Sequence, residues 1–270
     1  MRMRILAGLM LLLAAVMVVK IGENRKKLPD EIILPTPAVS PSAVNETPPN
    51  GNLITVDYGN NSYKILAVRI TAGDTLSLIP NFEKQQDAET LAESNICRTA
   101  INGGFYREDN SPLGLFYSNG NLLSKQIKSQ LVTGFFWQDL NGNRGFGREL
   151  PVTVSETDFI MQTGPYIPVG DYRLKLVQDE HARRSMVAKD DKNNFYLISV
   201  IDGENSYAGP LLADLPSIFS QPKIQNRISF TELLNLDGGS ASFFYDKGAE
   251  NSVILSSLTP VGSLLCLKTN

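Results

Sequence analysis

The chain has 270 residues, 42% of them hydrophobic, and a formal net charge of −3 with a single histidine. The first 50 residues hold six Lys/Arg and four Asp/Glu, so the acidic excess lies in the rest of the chain. A mildly acidic domain without a basic block argues against nucleic acid as a partner. Two cysteines and one histidine do not supply a metal-binding cluster, and we expect neither a metal nor another cofactor.

Residues 1–21 predict a signal-anchor or a signal peptide. Arg2 and Arg4 precede an uncharged apolar run, residues 5–19, which is long for a signal peptide and short for a spanning helix. No small-x-small cleavage signal follows the run. We therefore favour an uncleaved anchor that holds the domain on the periplasmic or outer side of a membrane. The alternative is a cleaved signal peptide, which would make the protein secreted.

A proline-rich linker is predicted over residues 22–50. Proline at high density fixes φ and removes hydrogen-bond donors, which indicates an extended spacer. The six prolines are Pro29, Pro35, Pro37, Pro41, Pro48 and Pro49. Residues 51–270 remain for one domain, which is long enough to bury a substantial core.

Strand-like segments dominate that domain. Alternating polar and apolar residues in LITVDYG and SYKILAVRI predict a hairpin that turns at Gly59-Asn60-Asn61, and Asn119-Gly120 predicts a second hairpin turn. The apolar run FYLISVI is typical of a buried central strand. Further strands are predicted at DTLSLIP, CRTAING, LVTGFFWQDL, LLNLD, SFFYD, SVILSSL and SLLCLK.

Two helices are predicted among these strands. One covers NFEKQQDAETLAESN and begins near Pro80 or Asn81; the other covers GPLLADLPSIFS, where Pro216 weakens the middle. No regular strand-helix alternation is present, so the predicted class is α+β, a single mixed, β-rich domain with a few helices packed on the sheet. Cys97 and Cys266 either form a disulfide or are buried thiols.

Two of the predicted strands end in a polar residue and a glycine pair. These ends are Asn102-Gly103-Gly104 and Asp237-Gly238-Gly239. Glycines allow backbone N–H groups to approach a ligand, although glycine pairs also serve ordinary turns. A hairpin turn does not need Asn or Asp directly after buried apolar residues. We therefore expect both ends to lie in one cleft.

The segments INGGFY, SPLGLFYSNGNLL, TGPYI, RSMVAKD and LNLDGGSASFFY, in this order, resemble the phosphodiester glycosidase family (N-acetylglucosamine-1-phosphodiester α-N-acetylglucosaminidase-like domains). NGGFY and LDGGS are the specific motifs. Ser240 directly follows the second glycine where the family commonly has a third, and Ala188 stands where it often has glycine. The resemblance implies a hydrolase whose substrate is a sugar phosphate or glycan.

The resemblance also implies the residues of the site. Asp237 is the predicted essential carboxylate, as nucleophile or as general base on water, and Asn102 is a second catalytic candidate. His181 is a third, proposed from its own chemistry because a histidine can donate or accept a proton at neutral pH. Departure of a phosphate monoester, whose second pKa is about 6, needs anion stabilisation more than protonation. Arg184 is the predicted phosphate clamp, because a guanidinium binds oxyanions in a fork. The remaining substrate-binding candidates are Gly103, Gly104, Thr163, Gly164, Ser185, Gly238, Gly239 and Ser240.

Most of these residues have a purely structural alternative. His181 fits a solvated loop, Arg184 fits a surface pair with Asp179 or Glu180, and Asp237 fits a turn cap.

Two further polar stretches also admit a structural explanation. Glu108 and Asp109 fit either a second carboxylate or a turn. The stretch DLNGNRG, residues 139–145, faintly resembles a calcium loop, but we interpret it as a hairpin tip without a metal.

The expected function is that of an exported, membrane-tethered hydrolase that cleaves a sugar-1-phosphodiester bond in envelope or capsular glycan. The alternative is a non-catalytic envelope protein that binds sugar phosphates or polysaccharide in the same cleft. A third hypothesis, a structural module without a ligand site, predicts that Asn102, Arg184 and Asp237 lie far apart.

Overall fold

The computed structural model describes residues 53–176, 178–248 and 252–269. The predicted N-terminal segment, 1–21, and the proline-rich linker, 22–50, lie outside these residues. The helices are α1 Ala88–Ser94, α2 Leu215–Phe219 and α3 Pro222–Gln225. The strands are β1 Leu53–Tyr58, β2 Asn61–Ile70, β3 Asp74–Pro80, β4 Thr99–Asn102, β5 Phe116–Ser118, β6 Asn121–Ser124, β7 Gly134–Asp139, β8 Arg144–Gly147, β9 Thr157–Thr163, β10 Tyr166–Pro168, β11 Arg184–Asp190, β12 Phe195–Asp202, β13 Phe230–Asn235, β14 Phe244–Asp246, β15 Val253–Leu255 and β16 Ser263–Thr269.

The strands form three antiparallel sheets. Sheet 1 has the order β1-β2-β12-β11-β13-β10, sheet 2 the order β15-β14-β4-β16-β3, and sheet 3 the order β6-β5-β9-β7-β8. The predicted hairpins β1–β2 and β5–β6 are confirmed. Asn119 and Gly120 both have positive φ, at 52° and 77°, which is why an Asn-Gly pair fits this tight turn. The run FYLISVI is the buried strand β12, paired on both sides.

One apolar core is shared by all three sheets. It contains Val187 and Leu234 from sheet 1, Ile101 from sheet 2, and Phe136 and Met161 from sheet 3. A second core lies on the other face of sheet 1 and includes the buried side chains of α2 and α3. Sheet 1 is therefore covered on both faces, which explains why its central strand β12 is almost continuously apolar.

A third, smaller core joins α1 to the outer face of sheet 2. Leu91 and Ala92 pack there with Phe243 and the buried cysteines. Cys97, just after α1, and Cys266, in β16, form a disulfide with a Cα–Cα distance of 5.4 Å. The two possibilities left open by the sequence are thus resolved in favour of the disulfide.

Both helix predictions were too long. α1 begins after Asp87, whose side chain accepts from the N–H groups of Glu89 and Thr90, rather than near Asn81. The Asn81 side chain instead closes a loop by bonding Gln86 and the carbonyl of Val261.

The second predicted helix is divided into separate turns. Residues Leu212–Asp214 form a 3-10 turn, and α2 starts directly after it. Pro216 lies in the first turn of α2, where the missing N–H costs no intrahelical bond, so proline starts this helix instead of weakening it.

Strands account for 42% and helices for 12% of the structure, so the prediction of a β-rich domain is confirmed. The helical share is smaller than the α+β class implies, because each helix spans only four to seven residues. In the part of the chain that the structure describes, no helix is long and apolar enough to cross a membrane. The domain boundary at residue 51 stays a prediction.

Candidate active site

The ends of three strands, one from each sheet, meet at one end of the shared core. β4 ends at Asn102, β9 at Thr163 and β13 at Asn235. The N–H of Asp237 donates to the carbonyl of Gly103 over 3.1 Å, and the Thr163 hydroxyl donates to the carbonyl of Asn235 over 2.9 Å. The fold thus brings both glycine motifs into direct contact, as their sequence pattern led us to expect.

Asn102 fixes this junction through its side-chain amide. Its Nδ2 donates to the carbonyl oxygens of Asp237 (2.7 Å) and Gly103 (3.2 Å), and its Oδ1 accepts from the N–H of Phe243 (3.0 Å). The residue is 1% exposed. These contacts favour a positioning role for Asn102, and its predicted catalytic role stays a prediction.

Asp237 carries a half-buried carboxyl group without a cationic partner among the described residues. Burial raises the pKa of Asp237 to about 6, and the hydrogen bond from the N–H of Gly238 to Oδ1 (2.9 Å) opposes this shift. A carboxyl that titrates near neutral pH is suited to general base catalysis. The same Gly238 contact also caps the turn, so the structural and the catalytic roles of Asp237 coexist.

Thr163 and Gly164 support the junction from sheet 3. Thr163 is fully buried, and its side chain lies against Gly104, whose N–H donates to the sulfur of Met161. Gly164 has φ +156°, and a Cβ there would stand 2.6 Å from the carbonyl oxygen of Leu131, so only glycine fits. Both residues have packing roles close to the two glycine motifs.

The loop after β13 is held against the start of β11. The N–H of Gly239 donates to the carbonyl of Arg183 over 3.0 Å, and φ of Gly239 is +60°, the left-handed region that favours glycine. Gly238 lies beside the same carbonyl. Ser240 is exposed, and its carbonyl accepts from Leu258 and Thr259. The backbone of this loop therefore holds Asp237 in place.

Arg184 is buried and paired rather than free. Its Nη2 donates to Asp179 (3.1 Å) and to the carbonyl of Glu180, and its Nε donates to the carbonyl of Pro210 (3.0 Å). Burial lowers the pKa of Arg184, and the two acidic neighbours oppose that shift. The pairing with Asp179 that the sequence suggested is present, and it joins a buried guanidinium to an aspartate at the protein surface.

The remaining nitrogen of Arg184, Nη1, points towards the Asp237 loop. It would lie 3.9 Å from a Cβ placed on Gly238. Because Asn102 contacts Asp237 directly, the three residues lie together, which is contrary to the expectation of a structural module without a ligand site. The phosphate-clamp role of Arg184 stays a prediction.

Ser185 and His181 contribute differently to this region. The carbonyl of Ser185 accepts from the N–H of Leu236 (2.8 Å), and its hydroxyl is buried without a partner. His181 is exposed, and its Nδ1 donates to the carbonyl of Gly209 over 3.2 Å. The charge of His181 acts on the pKa of Asp214, not on that of Asp237. No described contact supports the catalytic role predicted for His181.

Tyr106 was missed by the sequence-based prediction, although it lies in the quoted NGGFY motif. Its hydroxyl donates to the carbonyl of Pro260 over 2.8 Å. Burial and the negative charge of Asp237 both raise the pKa of Tyr106, so its ring lies within electrostatic reach of the carboxylate. Its position, two residues after Gly104 and within the family motif, was the available signal.

Other polar groups predicted from sequence have structural roles. Asp109 accepts from the N–H and hydroxyl of Ser111 in an exposed turn, and the neighbouring Glu108 is exposed. Residues 139–145 form the tip of the β7–β8 hairpin, as predicted. Within the described ranges, no group of three or more His, Cys, Asp or Glu could hold a metal ion.

Two surface clefts, of about 530 Å³ and about 610 Å³, lie away from Asp237. The first surrounds the β7–β8 hairpin, and the second lies beside residues 126–133. Neither is lined by the two glycine motifs. The chemistry of the strand junction, not the size of a cleft, identifies the candidate site.

A comparison with known protein families matches residues 95–268 to the phosphodiester glycosidase family. The catalytic domain of zebrafish N-acetylglucosamine-1-phosphodiester α-N-acetylglucosaminidase, auto-inhibited by its pro-peptide, has a similar structure, with a TM-score of 0.58 and 16% identity over 84% of this chain and 85% of that one. A hypothetical protein from Synechocystis gives a TM-score of 0.54 and 15% identity over 81% of this chain and 61% of that one. At these identities the likeness shows the fold alone. No curated protein matches the sequence.

Proposed function

The chain belongs to the phosphodiester glycosidase family, and from this membership we propose that it hydrolyses a sugar-1-phosphodiester at the strand junction around Asp237. The observation that carries the proposal is the half-buried Asp237 carboxyl, whose pKa is raised to about 6. It is held there by Asn102 and Gly103 from the other family motif. A group of this pKa is largely ionised at neutral pH and still basic enough to accept a proton.

We propose that the Asp237 carboxylate acts as a general base on water. The water oxygen bonds to the anomeric carbon while the bond from that carbon to the phosphate oxygen breaks, and the electron pair leaves with the phosphate. Asp237 takes the proton from the water and later releases it to solvent. Since the phosphate monoester is a stable anion, no strong general acid is required.

The fixed backbone around Asp237 supports this assignment. Its N–H is bonded to Gly103, its carbonyl to Asn102, and its Oδ1 to the N–H of Gly238. The second carboxylate oxygen is the one we assign to the water. A catalytic group held at three points keeps its geometry without reorganisation during the reaction.

We further propose that the enzyme is exported and membrane-tethered, and that its substrate lies in envelope or capsular glycan. The apolar segment at residues 5–19 and the proline-rich stretch after it support this placement. The buried disulfide Cys97–Cys266 also fits an oxidising compartment. Protease accessibility of the domain in intact cells tests the placement, since protection from added protease would contradict it.

Sugar release by the full-length chain tests the proposed activity. A panel of sugar-1-phosphodiesters that includes UDP-N-acetylglucosamine is incubated with the wild type and with Asp237→Asn. Release by the wild type that disappears in the variant supports the proposal. Equal release by both proteins contradicts the role of Asp237, and a substrate that binds but stays uncleaved favours the non-catalytic binding protein.

A further inference from the structure

Arg183 carries a buried guanidinium group with unused hydrogen-bond donors. The residue is 2% exposed, and its Nη1 donates to the carbonyl of Ser256 over 3.0 Å. Its Nε and Nη2 are buried and have no hydrogen-bond partner. None of the ion pairs found in the described residues includes Arg183, and burial lowers its pKa.

A buried cation without a counter-ion is unfavourable unless an anion compensates it. The neighbouring Arg184, which is also buried, shows the usual solution, since its guanidinium is paired with Asp179. Arg183 has no such partner, yet its free Nε–H and Nη2–H are the two donors on one edge of the guanidinium. That edge matches two oxygens of a phosphate or carboxylate.

Arg183 is also attached directly to the candidate active site. Its carbonyl accepts from the N–H of Gly239 (3.0 Å) and from the hydroxyl of Ser242 (3.2 Å). Gly239 is two residues from Asp237. On the side-chain side, Nη1 donates to Ser256, and Leu258, two residues further on, donates to the carbonyl of Ser240. A ligand on the Arg183 side chain would therefore border the same loop.

Tyr207 covers the guanidinium from the solvent side. Tyr207 is 64% exposed, and the centre of its ring lies 5.3 Å from the guanidinium carbon of Arg183. Asp202 and Asn205 hold the turn that presents this tyrosine, by accepting backbone N–H groups. Rotation of an exposed side chain is fast, so the tyrosine ring can uncover the two donors without moving the fold.

We propose that Arg183 forms an oxyanion subsite, covered by Tyr207, that receives the phosphate side of the substrate. Nε–H and Nη2–H each donate to one phosphate oxygen, while Tyr207 turns aside or packs on the bound group. This proposal rests on the proposed function, because that function identifies the oxyanion as the phosphate of the substrate. The binding of an oxyanion at Arg183 does not depend on turnover.

Binding of inorganic phosphate to the full-length chain tests this subsite. Titration calorimetry is done on the wild type, on Arg183→Met, and on Arg148→Met as the matched control. Arg148 also lies over a tyrosine ring, that of Tyr166 at 5.2 Å, but away from the Asp237 loop. We expect binding by the wild type and the control, and at least a roughly tenfold loss in Arg183→Met, because two charge-assisted hydrogen bonds disappear.

Two more variants keep the test decisive if Arg183→Met does not fold. Arg183→Lys retains the charge without the fork and should also weaken phosphate binding, whereas Tyr207→Ala should bind phosphate at least as tightly as the wild type. Phosphate binding that is equal in the wild type and both Arg183 variants overturns the proposal. So does the absence of binding in both the wild type and Tyr207→Ala.

Substrate kinetics then separate the subsite from the proposed activity. If the subsite holds the substrate's phosphate, inorganic phosphate inhibits sugar release competitively in the wild type, and this inhibition weakens in Arg183→Lys. Phosphate that binds at Arg183 but inhibits without competing with substrate overturns the assignment to the substrate. Phosphate bound at Arg183 in a protein that releases no sugar would contradict the proposed activity alone.

Discussion

The side-chain amide of Asn102 donates a 2.7 Å hydrogen bond to the main-chain carbonyl of Asp237. This contact joins the end of β4 in sheet 2 to the end of β13 in sheet 1. Asn102 thereby fixes the backbone that carries the reactive carboxylate, although its own side chain has no donor left for substrate.

Asn102→Asp should therefore destabilise the protein and abolish turnover. The variant places a carboxylate oxygen against the carbonyls of Asp237 and Gly103, where donors are required, and we expect a loss of about 1–3 kcal/mol in unfolding free energy. Chemical denaturation measures it. Asn121→Asp is the control, because Asn121 makes the same kind of bond, to the carbonyl of Asn119, on the surface. Equal losses in both variants would contradict a special role for Asn102.

The pH dependence of kcat/KM should follow the ionisation of Asp237. Its pKa is about 6, so a general base there is active above that pH and protonated below it. We expect kcat/KM to fall about tenfold per unit below pH 6 and to level off above it. A phosphodiester substrate stays a monoanion over this range, so the fall in kcat/KM at low pH reports an ionisation of the enzyme and not of the substrate. A flat profile between pH 5 and 7 would exclude this role.

Asp237→Asn should stabilise the fold at neutral pH while it removes activity. Burial raises the pKa of Asp237 above its unfolded value of 3.8, so the folded state favours the protonated form and ionisation destabilises it. This destabilisation of the folded state by the ionised carboxylate is fully present above pH 6 and absent below pH 4. Since the group is half-buried, we expect a gain of about 1–2 kcal/mol at pH 7.

Thermal unfolding of both proteins at pH 4 and pH 7.5 checks this prediction. Asparagine keeps an oxygen that can accept from the N–H of Gly238, so the turn cap survives in the variant. If Asp237 served only as a cap, the variant would show no gain at pH 7.5, and that result would contradict a desolvated carboxylate.

The strand pattern was predictable because it is a local property of the sequence. Alternation and Asn-Gly turns located β1–β2 and β5–β6, and continuous apolar residues located β12. The first residues of the helices were harder to predict from the sequence, because they depend on single contacts. Asp87 caps α1 with its side chain, and Asn81 is taken out of the helix by a bond to the distant Val261.

The candidate site was predictable only in part. Two strand ends with Asn-Gly-Gly and Asp-Gly-Gly could be matched by their pattern, but the burial of a charge depends on distant segments. The Arg183 guanidinium contacts Ser256 and Tyr207, and that of Arg184 contacts Asp179 and Pro210, all distant in the sequence or on separate loops. The adjacent arginines look alike in the sequence, yet of the two only Arg183 keeps buried guanidinium nitrogens without a hydrogen-bond partner.

The disulfide should contribute strongly to stability. Cys97 and Cys266 are separated by 169 positions in the sequence, and closing so long a loop restricts the unfolded chain. We expect the double variant Cys97→Ser/Cys266→Ser to lose about 2–5 kcal/mol of unfolding free energy. Urea denaturation with and without reductant measures the effect. An unchanged midpoint in the wild type under full reduction would contradict the contribution of this bond.

The stereochemistry of hydrolysis should be inverting. A retaining mechanism needs a second carboxyl group about 5–5.5 Å from the nucleophile to activate water in its second step. Asp179, the carboxylate paired with Arg184, is unsuited to that role, because it accepts from Arg184 and from the N–H groups of Leu212 and Ala213. Direct attack by water assisted by Asp237 requires no second carboxyl group and produces the opposite anomer.

Proton NMR of the sugar released in the first minutes distinguishes the two outcomes, because each anomer has its own signal before mutarotation. An α-linked substrate should give the β anomer first. Asp179→Asn is the informative companion variant: if Asp179 only holds Arg184, the stereochemistry of the residual activity stays inverted. Initial release of the α anomer would mean that Asp237 acts as a nucleophile, and would require another group to activate the water that completes the reaction.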